Sequence, residues 1–421
     1  PASFLSKVKS KQDSYSFVDS VMATPLPTYG FDYSLVRNPD IDTAYNALIT
    51  YVIPGSPAAQ AGLERGDWIM KVDTSYISKK YETYLLQGTK AVELTLGEWK
   101  EVEIEDEEDG NEGGDGEDEG PTMEYRVVPI DEPVEMPAAR IVEDNPVHKY
   151  EIIESPVKNI KVGYLMYNSF TAGTKAEPEK YNNELRSVSQ KFKEAGVQAV
   201  ILDLRYNEGG SMDCVQLLGT ILTSAERLGE PMAYLEYNDK NTDKDATILF
   251  GTDREINLDL HSLIAITSGT TMGAPEMLIR SLFLEDTYPI ATVGSSTKGQ
   301  NVATEQFINE EFLWSVNPVV CTVYNSQHDT YGTISPATDL KVSETTIDGS
   351  TNYSEFLPFG TFDKDGKSER LLKIAIGVLD GTYPPKDDET PEESTTQTRF
   401  KVEKSVSSPA SRRFSSKGLR L

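Results

Sequence analysis

Two glycine-bearing runs hold the residue types best suited to chemistry. In VILDLRYNEGGSMDCVQLL, residues 200–218, an apolar stretch ends at Asp203-Leu204-Arg205, and Gly209-Gly210 follow just before a helical pattern. Glycines at such a turn let main-chain N–H groups converge on a developing oxyanion. A nucleotide-binding loop is the competing chemistry, but the run contains neither GxGxxG nor GxxxxGK[ST]. In AITSGTTMGAPEMLIRSLF, residues 265–283, a second apolar strand runs into Gly273-Ala274-Pro275-Glu276 and a helix. The hydroxyls of Ser268, Thr270 and Thr271 lie on the approach to that turn, so any of them would need a rearranged loop to act as a nucleophile.

The composition narrows the classes. Forty Lys and Arg against 68 Asp and Glu leave a formal charge of −28 over 421 residues, which argues against nucleic acid as a partner. Three histidines (His148, His261 and His328), with no HExxH and no CxxC, point away from a zinc site, and nothing in the sequence calls for a metal or other cofactor. Cys214 and Cys321 are far apart in sequence and read as two buried thiols rather than a required pair. No apolar run approaches the ~20 residues of a membrane helix. The chain opens on Pro1 without a signal-like stretch, which leads us to expect that an upstream segment has been removed.

The elements around the two runs must position them. Val162–Tyr167, Val197–Leu204, Leu263–Thr267 and Pro289–Val293 read as strands, and Lys180–Ala195, Asp213–Ser224 and Ala274–Leu284 as helices. This alternation predicts an α/β domain with a buried sheet. Upstream, residues 4–22 carry apolar side chains at roughly helical spacing, expected as two short helices. The acidic run 101–120 is expected to be a solvated loop dispensable for folding, because it has almost no apolar side chain and fits no calcium-loop register. From residue 384 the composition predicts a disordered tail.

A third run identifies a module. GSPAAQAGLERGDWIMKVD, residues 55–73, combines tight-turn glycines, small helix residues and an Asp before a strand. It resembles a PDZ domain, which binds a peptide by strand addition. The resemblance implies a carboxylate-binding loop at Tyr29-Gly30-Phe31-Asp32-Tyr33 and a peptide site at Gly30, Phe31, Asp32 and Tyr33. Asp32 stands where the family often has glycine, and an inward carboxylate there would repel a peptide C-terminus.

Taken in order, this module, KVGYLMYNSF at 161–170, the run around Asp203 and LPFGTFDKDGKSERLLKIAIGVLDG at 357–381 resemble the C-terminal-processing (tail-specific) serine peptidases over about residues 4–381. The resemblance implies a crotonase-like (ClpP/crotonase) α/β core with a PDZ domain and an N-terminal helical segment. It divides the chain into residues 1–28, a PDZ-like domain at 29–130, the core at 131–383 and a tail at 384–421. It also implies a Ser–Lys dyad, with Gly209, Gly210 and Ala274 forming an oxyanion-hole-like cluster. The serine position carries Gly273, which has no side chain to attack a carbonyl. Counting 25 residues on gives Lys298 at the lysine position, whereas the local pattern G-x-x-T-x-G-K-N-V gives Gln300. The local pattern matches more residues, and on it both dyad members are lost, as expected of natural degeneration rather than a single inactivating substitution.

The expectation is a pseudopeptidase that binds an extended peptide or unfolded segment. An active, atypical serine endopeptidase and a structural accessory subunit of an envelope complex are the alternatives. The resemblance also implies export to the periplasm or cell surface, in association with a membrane-protein complex or as a lipoprotein.

Overall fold

The computed structural model describes residues 11, 13–20, 26–104, 122–309, 311, 313–347, 350–384, 400–408 and 417–421. The acidic run lies outside these from residue 105 on, and its Glu101–Glu103 simply prolong the strand Val92–Ile104. Of the expected N-terminal helices, the described part is instead a strand, Phe17–Ser20, paired antiparallel with Trp314–Asn317. Main-chain pairing with a partner about 300 residues away overrides a local apolar spacing.

The core sheet has the order Ile290–Gly294, Leu263–Thr267, Ala199–Asp203, Lys161–Tyr167, Val147–Glu154. The first four run parallel and Val147–Glu154 closes the edge antiparallel. Ala199–Asp203 and Leu263–Thr267 are buried throughout, as strands covered on both faces must be. The helix Lys180–Ala195 ends at Gly196 in the left-handed conformation and packs Leu185, Val188 and Phe192 into one apolar cluster, which also takes in Val215 and Leu218 of Met212–Leu222 and Leu278 of Ala274–Leu282. The helix Arg370–Asp380 covers the opposite face with Leu371, Leu372 and Ile376.

The PDZ-like domain is an antiparallel sheet in the order Phe31–Arg37, Tyr45–Val52, Trp68–Val72, Val92–Ile104, Thr122–Pro129. Ser56 caps the short helix Pro57–Gln60 by accepting the Ala59 N–H, and Pro57 starts that helix.

The tail departs from the sequence expectation. Residues 385–399 and 409–416 lie outside the described residues, but Val402–Val406 and Gly418–Arg420 are both strands. The first extends the PDZ-like sheet beyond Phe31–Arg37. The second enters a six-stranded sheet in the order Gly209–Ser211, Gly418–Arg420, Val302–Thr304, Val319–Tyr324, Pro231–Tyr237, Ala246–Leu249. Strand addition through main-chain groups lets a polar segment find order that its composition does not encode.

Candidate functional site

The turn after Ala199–Asp203 is held by buried charge. Arg205 is fully buried and meets Asp203 at 2.7 Å, Glu369 at 2.8 Å and Glu344 at 2.6 Å. Arg65 of the PDZ-like domain adds contacts of 3.5 Å to Glu344 and 3.7 Å to Glu369, with its guanidinium stacked 3.6 Å from the Phe356 ring. Burial pushes the Glu369 carboxyl up, but Arg205, Arg65 and the Leu372 N–H outweigh it and hold the group below the usual carboxylate range. For Asp203 burial outweighs Arg205, and its carboxyl sits above that range. Arg205 thus gathers the core's Asp203, Glu344 and Glu369 into one buried cluster, and Arg65 joins the PDZ-like domain to it.

Asn207 completes the turn. Its Nδ2 donates to the Tyr167 carbonyl at 2.8 Å, and its Oδ1 accepts the Gly209 N–H at 3.0 Å. The Gly209 amide, expected as an oxyanion donor, is thus already engaged. Gly210 pairs with Leu419 in the strand ladder, and Ala274 opens its helix, fully buried.

Glu276 joins Gly273 and Gln300, the two positions where the resemblance expects the dyad. Its buried carboxylate accepts the Gly273 N–H at 2.8 Å, the Gln300 N–H at 2.9 Å and the Gly299 N–H at 2.5 Å, together with the Thr297 hydroxyl. Burial raises its pKa against the lowering effect of those bonds. Pro275 sits in the first helical turn, where a missing N–H leaves no intrahelical bond unmade, so it does not reshape the start. Gln300 is 2% exposed and lies beside the turn, whereas Lys298 is exposed. Gln300 shares the Glu276 carboxylate with Gly273, whereas the Lys298 N–H donates to the Thr271 carbonyl at 3.0 Å, two residues before Gly273. Among the nearby hydroxyls, Thr270 donates to the Arg205 carbonyl at 2.9 Å, Thr271 to the Leu204 carbonyl at 2.9 Å, and Ser268 also to the Arg205 carbonyl.

The strand Gly418–Arg420 packs directly against Gly273 and Gln300. It runs parallel to both of its neighbours, with Gly418 opposite Gly209 and Leu419 opposite both Gly210 and Ala303. Gly418 N–H donates to the Glu208 carbonyl at 2.7 Å and Leu421 N–H to the Thr304 carbonyl at 3.0 Å. A Cβ placed on Gly273 would lie 2.5 Å from the Gly418 carbonyl carbon and 2.6 Å from the Leu419 nitrogen. A Cβ on Gly418 would lie 2.5 Å from Gln300 Nε2. Gly273 itself has φ +72°, a conformation that a side chain disfavours.

The PDZ groove is filled as well. Val402–Val406 pairs antiparallel with Phe31–Arg37, placing Val406 opposite Tyr33. Lys404 reaches Glu82 of the helix Glu82–Leu86 at 2.6 Å, so the strand lies between the edge strand and that helix. Lys79 meets Glu403 at 2.6 Å, and the Ser34 and Ser405 hydroxyls lie 2.8 Å apart. The expected loop behaves differently from a carboxylate cradle. Asp32, which is buried, accepts the Ser408 N–H at 2.6 Å, so the carboxylate receives a passing main-chain amide. Gly30 N–H donates to the Thr28 hydroxyl, and the Phe31 ring belongs to the domain's core. A cavity of about 480 Å³ remains between this groove and the core, lined by Asp32, Ser405, Ser268, Thr270, Tyr206 and Glu344.

Residues 161–316 match peptidase family S41, and residues 48–95 match a PDZ domain. A solved structure described as an S41 protease of Bacteroides fragilis is 39% identical over 90% of this chain and 90% of its own, with a TM-score of 0.77. The photosystem II D1 C-terminal processing protease is 16% identical over 81% of this chain and 80% of its own, with a TM-score of 0.41. A structure described as a peptidase of Parabacteroides merdae is 20% identical over 55% and 66%, with a TM-score of 0.35. No curated protein matches the chain. The chain belongs to peptidase family S41, and its fold is the S41 peptidase fold with a PDZ domain.

Sequence reasoning missed the occupants of both grooves. The β-branched Val402 and Val406, flanking three polar residues, were a weak strand signal for the first. Three residues, Gly418–Arg420, are too few for any periodicity, so no comparable signal existed for the second.

Proposed function

We propose that this S41-family chain binds extended polypeptide segments and does not hydrolyse them. The supporting observation is the meeting of Gly273, Gln300 and Gly418. Where the family resemblance expects a hydroxyl and an amine, there are a glycine, a primary amide and a main chain. An amide nitrogen is not a general base near neutral pH, and a glycine offers no nucleophile. Strand addition needs only main-chain groups and side-chain pockets, which persist without the dyad. An exported, envelope-facing location belongs to the same proposal and rests on the family resemblance.

The test is incubation with unfolded casein beside an active homologue, using the wild type and the double variant Gly273→Ser with Gln300→Lys. The wild type is expected to bind casein peptides at the PDZ-like edge in competition with Val402–Val406, with an affinity no tighter than the order of micromolar, since an extended ligand loses entropy on ordering, and to release no fragments. Cleavage that co-purifies with the protein and vanishes when a named cleft residue is changed would overturn the proposal.

A further inference from the structure

We infer that the vacated dyad position is a strand-binding slot selective for a Gly-Leu-Arg segment, filled here by the chain's own Gly418–Arg420. The inference rests on the peptide-binding reading above and names its ligand.

The slot is defined by backbone crowding. Gly209, Gly273 and Gly418 face one another so closely that a Cβ on Gly209 would lie 2.5 Å from the Gly418 carbonyl carbon, and one on Gly273 equally close to the same atom. Gly418 also has φ +75°, where an L side chain is strained whatever the space around it. The first subsite therefore takes glycine. The second takes a branched apolar side chain: Leu419 is 1% exposed and lies in the same cluster as Met277 and Ala303. The third is half-buried and takes a long side chain. Arg420 reaches into it with Nε buried and without a hydrogen-bond partner among the described residues, and burial lowers its pKa against the attraction of Cys214 and Asp19. Lys417 and Leu421 on either side are exposed, so the slot is open at both ends and fits a segment passing through as well as one that stops.

The same crowding gives the absence of a serine side chain a physical meaning. A serine at position 273 and the strand cannot share this space, so glycine there is what admits the ligand. The PDZ groove holds the same polypeptide ten or more residues upstream, which keeps the segment near its slot by a short tether.

A site-specific protease sequence placed between residues 409 and 416 allows the folded protein to be nicked, separating the fragment that carries Gly418–Arg420 from the PDZ-like attachment. Retention is followed by gel filtration, and exchange by fluorescence polarisation with a labelled peptide of residues 415–421. The wild-type fragment is expected to stay bound. The Gly418→Ala fragment is expected to bind roughly tenfold to a hundredfold more weakly, the range for overpacking a tight site. The Leu421→Ala fragment should be retained like wild type.

Equal retention of the Gly418→Ala fragment would overturn the inference. So would failure of the labelled peptide to enter a nicked, still-folded protein that has lost its own fragment. Unfolding of the core when the fragment leaves would make the strand a fold-completing seam and would also remove the inference. Casein peptides that bind the emptied protein without preference for glycine would leave the peptide-binding reading intact and remove only this one.

Discussion

The two grooves hold the same tail by different physics. On the PDZ-like domain, Val402–Val406 has one strand neighbour, and Glu403 and Lys404 face solvent while pairing with Lys79 and Glu82. In the cleft, Gly418–Arg420 lies between two parallel neighbours with Leu419 in the core, and glycines admit it. The first attachment is an edge addition steered by exposed charge, which water and salt weaken. The second is a steric fit that excludes side chains and buries apolar surface. The cleft thus holds its strand by shape, while the PDZ groove holds its own by edge pairing and charge.

The largest expected effect is on the junction that keeps the two grooves in register. Arg205→Leu leaves Asp203 buried without its cation and Glu369 with Arg65 alone at 3.7 Å, and should cost about 3–5 kcal/mol in chemical denaturation. A loss below about 1 kcal/mol would mean that the buried cluster is not what docks the domains.

Next in size, Gly273→Ser forces a Cβ against Gly418 and a side chain onto a left-handed backbone. It should destabilise the protein by about 2–3 kcal/mol or expel the terminal strand, with the amide protection of Leu419 lost and that of Val402–Val406 kept. Simultaneous loss at both strands would break the comparison, since it would make the two attachments one cooperative unit.

The smallest effect separates the grooves by charge. The hydrogen bond from Lys79, together with its charge, holds the Glu403 carboxyl below the usual range. The contribution of a group lowered in this way is present at neutral pH and is lost as the pH falls through the lowered value. Acid below the ordinary glutamate range, or molar salt, should therefore lower the protection factors, corrected for the intrinsic exchange rate, in 402–406 while leaving those of Leu419 and Leu421 unchanged. Equal lowering at both would show that charge holds neither more than the other.

What the sequence revealed follows from where side chains carry the information. Lys180–Ala195 was legible to the residue because its apolar stripe and Gly196 are local signals. Ala199–Asp203 and Leu263–Thr267 were legible as unbroken apolar runs. Gly273 and Gln300 came from the family resemblance, Gln300 by local pattern where counting gave Lys298, and Glu276 accepts the N–H groups of Gly273 and Gln300. The tail was not legible, because its order comes from main-chain pairing with strands hundreds of residues away. Phe17–Ser20 was misread as helix for the same reason. The inward Asp32 was read as an obstacle to a carboxylate, and its role as acceptor for Ser408 needed the fold to be seen.

The central claim is that the tail occupies both grooves and is held far more firmly in the cleft. Hydrogen exchange on the intact protein measures this directly. Leu419 and Leu421 should exchange at least about a hundredfold more slowly than Glu403 and Ser405, and those in turn more slowly than an unstructured peptide. Exchange at Leu419 as fast as in a free peptide would contradict the account, because the position facing Gly273 would then stand open.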